Sequence, residues 1–99
     1  MSEQKTEVTE ELIDQYLNLT NAARAKATPI HETGTPEAER LGIMMEMADA
    51  YTSDAKWFQV NGDLVRAFGA INYAHAWIDC AVKIGLLDGH GDDAMFTLP

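Results

Sequence analysis

Apolar residues recur along this chain at spacings of three and four in three stretches, each separated from the next by turn-forming residues. Leu12, Tyr16, Leu19, Ala23 and Ala27 mark the stripe of one amphipathic helix. Leu41, Met44, Ala48, Tyr51, Ala55 and Phe58 mark a second, and Leu64, Ala67, Ile71, Ala74, Ile78 and Ala81 a third, both at strict 3-4-3-4-3 spacing. No stretch alternates with period two for long enough to suggest a strand.

The punctuation between the stretches sets the helix ends. Thr9 is a good N-cap, and Glu10, Glu11 and Asp14 complement the positive end of the helix dipole. Arg24 and Lys26 stand at the other end, and Pro29 disfavours helical geometry at Thr28. The stretch 28–35, with its proline, glycine and three threonines, reads as a loop. Thr35-Pro36-Glu37 then supplies a cap, a proline at the first helical position and an acid. Asn61-Gly62 ends the second helix and Asp63 caps the third at once, which makes a tight hairpin. Lys83 and Gly85 mark the last end. The expectation is an all-α chain with helices over about 9–27, 36–60 and 63–85, each roughly 30–37 Å long. Short connections make it an antiparallel three-helix up-down-up bundle. The Gly-His-Gly-Asp-Asp stretch from Gly89 reads as the start of a flexible acidic C-terminal tail.

Ninety-nine residues fit one domain, 1–99. The stretch 1–11 is polar and acidic, with no signal-peptide core, and no run approaches a membrane span, so a cytoplasmic protein without membrane contact is expected. Cys80 alone cannot form an internal disulfide or a thiolate metal site. Sixteen acids against seven bases give a net charge of −9, which argues against nucleic acid as a partner. The same acid-rich, lysine-poor surface suits a salt-loving cytoplasm, so the charge describes either the solvent or a partner.

Two helices are more apolar than a bare bundle needs. The apolar arc of the third, from Tyr73 through Trp77 and Ile78 to Phe68 and Leu86, spans roughly 220°. The second carries an outlying stripe of Ile43, Met47, Ala50 and Trp57. Either the end of the chain, with Leu87, Met95, Phe96 and Leu98, folds back over this surplus, or it faces a partner, most simply a twofold homodimer. Trp57, Met47, Tyr73 and Trp77 are the candidate interface residues, Trp57 foremost because tryptophan is enriched at hot spots.

Candidate chemistry is sparse. Glu10-Glu11-Leu12-Ile13-Asp14 with Glu46-Met47-Ala48-Asp49 faintly resembles the metal-holding acidic pattern of all-helical nucleotide pyrophosphohydrolases. On the helical wheel, however, Glu10, Glu11, Asp14 and Glu46 point away from the apolar seams, as a solvated acidic face does. His75 and Asp79, one turn apart, could form a hydrogen-bonded pair or two ligands of one metal, with Asp54 as a third. Asp79 equally precedes Lys83 at ion-pair spacing, and two ligands at helical spacing are more often structural. Arg66 and Tyr73 could meet an anion but more often snorkel along a bundle. No phosphate-cradling loop or nucleophile elbow occurs, and no cofactor is implied.

Ala48-Asp49-Ala50-Tyr51, Asp54-Ala55, Phe58, Gly62-Asp63 and Ala67-Phe68-Gly69-Ala70-Ile71-Asn72-Tyr73-Ala74-His75 with Asp79 resemble a family of short archaeal proteins, domain-of-unknown-function family 357. The resemblance implies a helical bundle of archaeal, cytoplasmic origin and carries no activity. The functional expectation is a non-catalytic module that self-associates or docks a protein partner through helices two and three. The alternative is a metal- or nucleotide-dependent enzyme, or a ligand-binding protein, using the polar residues of that hairpin.

Overall fold

A computed structural model describes residues 5–99; residues 1–4, the start of the polar stretch read as lacking a signal core, lie outside the described residues. Three helices dominate: α1 (Glu10–Lys26), α2 (Pro36–Val60) and α3 (Leu64–Lys83). Each opens on a side-chain cap. Thr9 Oγ1 accepts from Leu12 N–H, Thr35 Oγ1 from Ala38 N–H and the Asp63 carboxylate from Arg66 N–H, all at 3.2 Å. These bonds satisfy amide donors that a helix start leaves orphaned. Both α2 and α3 close with a glycine at positive φ, Gly62 and Gly85. Beyond them Asp63 N–H reaches back to Phe58 O and Leu86 N–H to Ala81 O, both at 2.9 Å. That pattern ends a helix while pairing its last carbonyls.

The chain is all-α and runs up-down-up. The α2–α3 hairpin is antiparallel, and α1 lies along α3 in the same direction, with Thr20 beside His75. Polar bridges tie α1 to α2 in the opposite sense: Gln59 Nε2 donates to Asp14 at 2.8 Å, and Arg24 grips Asp49 at 3.0 Å. One feature escapes periodicity altogether. The two-residue strands β1 (Thr28–Pro29) and β2 (Leu87–Asp88) pair antiparallel, and Ile30 N–H extends the ladder to Leu86 O. Two residues are too few to show an alternating pattern.

The core differs from the expected seams at two places. In α1 the buried residues are Ile13, Leu17, Thr20 and Ala23, whereas Leu12 and Tyr16 are half-buried and Leu19 is exposed. Both registers are available in the sequence. The chosen one puts a hydroxyl inside, which is tolerated because Thr20 finds a hydrogen-bond partner there. In α2, Met45 is buried and Met44 only half-buried, since α2 meets α1 as well as α3 and its contact face widens accordingly. Ala48, Ala55, Ala67, Ala74 and Ala81 are all buried, as close helix approach requires.

The expectation of a flexible acidic tail needs correction: the segment after β2 is docked. Phe96 is 4% exposed and packs in one cluster with Val82, Leu86 and Leu87, flanked by Met95 and Leu98. Burying that ring contributes about 1.5–3 kcal/mol. Asp92 anchors the turn, because its carboxylate accepts from Lys26 Nζ at 2.8 Å and from the Ala94 and Met95 amides at 3.1 Å. The acids look mobile in sequence, but an aromatic anchor and a lysine from another helix outweigh them.

Candidate functional site

Two places on the α2–α3 hairpin carry the residues singled out by sequence, and they lie on different flanks of α3. On one flank, Tyr73 is half exposed and its ring meets Tyr51 edge-on, with centroids 4.4 Å apart. Trp77 lies next along the same flank, its centroid 6.2 Å from Tyr73. Together with Ala76 and Cys80 these two rings line a shallow, wholly apolar surface. Ile84, one helical turn beyond Cys80 on α3, is exposed, and on α2 Ile43 is exposed while Met47 is half-buried. Trp57 stands farther round α2, 64% exposed and touching only the edge of Phe58 among aromatic rings. The Trp77 indole N–H is buried with no hydrogen-bond partner among the described residues, which leaves a donor desolvated.

The other flank holds His75 and Asp79. His75 is deep, its side chain 16% exposed, and both ring nitrogens are used. Nε2–H donates to the Met95 carbonyl at 2.8 Å, and Nδ1 lies 3.0 Å from Thr20 Oγ1. A carbonyl only accepts, so the proton on Nε2 is fixed, and in a neutral ring Nδ1 accepts from the Thr20 hydroxyl. Asp79 Oδ1 stands 3.7 Å from His75 Nε2 and accepts from Thr97 N–H at 3.0 Å. One turn on, Lys83 Nζ donates to the Leu98 carbonyl at 2.9 Å. The expected Asp79–Lys83 spacing is therefore spent on the segment 92–99, not on a pair. A groove of about 210 Å³ between α1 and α3 opens from this place, lined by Tyr16, Leu19, Thr20, Asn72, His75 and Asp79.

Asp54 does not join His75 and Asp79; it is exposed on α2, and among the described residues no three His, Cys, Asp or Glu side chains gather as a metal would need. Glu10, Glu11, Asp14 and Glu46 are exposed, as the wheel requires. Arg66 is exposed and 3.5 Å from Asp63, apart from Tyr73's stacking partners. His31 and His90 do not hang free: His31 Nε2–H donates to Gly85 O, and His90 Nε2 meets Thr28 Oγ1 at 2.9 Å. One carboxyl has a displaced titration. Lys26, by hydrogen bond first and by charge as well, holds Asp92 below the usual carboxylate range, helped by the Met95 and Ala94 amides. Sequence reasoning missed Thr20, Lys83 and Met95 as parts of one site. The only signal was a threonine in an otherwise apolar register of α1.

No curated protein and no solved structure matches the chain. A sequence profile matches residues 15–87, which takes in α1 from Gln15, the whole of α2 and α3, and β2 up to Leu87 but not the docked segment. The chain belongs to the family described as "Protein of unknown function (DUF357)".

Proposed function

We propose that the protein is a non-catalytic interaction module whose α2–α3 hairpin binds a second copy of the chain. The observation that carries this is the exposed apolar patch of Tyr73, Ala76, Trp77 and Cys80, with Ile84 exposed one helical turn beyond Cys80 on α3 and Ile43 exposed on α2. The docked segment covers the opposite flank of α3 and leaves this surface bare. A twofold contact would pair it with its own copy, shielding Tyr73 and the aliphatic rim at once. Trp57 and Met47 then lie toward the border of the contact, Tyr73 and Trp77 near its middle.

Sedimentation across the micromolar range tests this. Wild-type protein is expected to shift from monomer to dimer with concentration, and Tyr73→Glu to stay monomeric with unchanged helical circular dichroism. Trp57→Ala is expected to weaken the dimer by less, as a residue at the border should. A wild-type chain that remains monomeric throughout refutes the reading.

A further inference from the structure

The flank of α3 under segment 92–99 has the features of a binding site. Three side chains at i, i+4 and i+8 hold main-chain atoms of three residues in a four-residue stretch: His75 the Met95 carbonyl, Asp79 the Thr97 amide, Lys83 the Leu98 carbonyl. Main-chain contacts of this kind grip any peptide and are indifferent to its side chains. Selectivity comes from the apolar seat, where Phe96 is buried against Val82 and Leu86 while Met95 and Leu98 pack at its edges. His75, Asp79, Lys83, Val82 and Leu86 all lie within the stretch 15–87 that matches the family, and the occupant lies outside it. The groove beyond His75 adds a third observation. Residues before Met95 turn away from it toward Lys26, so the part lined by Tyr16, Leu19 and Asn72 has no occupant from this segment.

We propose that this flank is a peptide-binding seat, filled in cis by 92–99 and open in trans to a partner peptide with a phenylalanine anchor and an aliphatic residue two positions later. Such a peptide displaces the segment, and its preceding residues continue along the empty groove. The connection over 88–91, with Gly89 and Gly91, lets the segment swing out without disturbing α3.

The probe is a fluorescent peptide of sequence Asp-Asp-Ala-Met-Phe-Thr-Leu-Pro with blocked ends. It is expected to bind full-length Phe96→Ser, whose own segment cannot fill the seat, at least tenfold more tightly than wild type. The same peptide with alanine for phenylalanine is expected to bind neither. In the wild type, excess unlabelled peptide is expected to speed Thr97 amide exchange at least tenfold while the Ile71 and Ile78 amides stay protected. This second arm decides the matter even if Phe96→Ser does not fold. A folded Phe96→Ser that binds no better than wild type, or a Thr97 amide unmoved by excess peptide, overturns the proposal. So does Thr97 protection that varies only with protein concentration, which would mark exchange of segments between copies.

Discussion

Thr20 is the residue on which α1 turns. Thr20 is 2% exposed, and its hydroxyl supplies the partner for the His75 ring nitrogen on α3. Thr20→Val keeps the shape and removes that partner, so a part-buried ring nitrogen loses its protein bond. We expect a loss of about 1–3 kcal/mol in urea unfolding. Thr52→Val is the control: its hydroxyl donates to Ala48 O on a half-exposed part of α2, and its removal should stay within about 0.5 kcal/mol. Gly89 makes the second residue-scale prediction. A Cβ there would stand 2.9 Å from the Phe96 ring and 3.2 Å from Val82 Cγ1, so a packed side chain has to shift. Gly89→Ala should therefore dislodge Phe96, costing about 1–3 kcal/mol. Faster amide exchange at Thr97 with α3 unaffected would be the measured sign.

At the scale of elements, what the sequence made legible was what is decided locally. Thr9, Thr35 and Asp63 cap the three helices, and Gly62 and Gly85 end two of them, because caps and positive φ depend on a few neighbouring residues. The register of α1 was not legible, since Leu12-Tyr16-Leu19 and Ile13-Leu17-Thr20 are equally periodic and what separates them is distant in sequence: the packing of Ile13 and Leu17 against Ala67, Ile71 and Ala74, and the His75 partner of Thr20. The docked segment was legible only as one of two readings, because Met95, Phe96 and Leu98 are apolar but what they fold onto is set elsewhere in the chain. Its acids suggest solvent, and its anchors, Lys26, His75, Asp79 and Lys83, belong to other elements. The Asp92 carboxyl carries a pH dependence of known sign. Its folded pKa lies below the ordinary value, so the stability it lends is present above that ordinary value and fades as pH falls through the lowered one. On acidification the Ala94 and Met95 amide resonances should move and lose protection before the helices melt. Asp92→Asn should show neither change, because its side chain does not titrate.

The described residues span 43 × 34 × 16 Å, and the chain carries a net charge of −9. Its charged pairs between elements are few and largely exposed, such as Arg24–Asp49, so they offset little of the mutual repulsion among the acids. High salt screens that repulsion, so a surface of this charge is expected to be stabilised by it. The expected outcome is a melting temperature that rises markedly from low ionic strength to molar KCl; equal stability in both would refute it. Among the described residues no helix is long and apolar enough to cross a membrane. The brevity of the link between β2 and Asp92 has its own effect at this scale. A tether of so few residues holds Phe96 near its seat at an effective concentration on the order of millimolar. Single changes that weaken the seat tenfold are thereby buffered, leaving it mostly filled. A competitor of equal affinity has to reach that local concentration to displace half of the segment, so the tether raises the competitor's half-saturation point while leaving the shape of its binding curve unchanged.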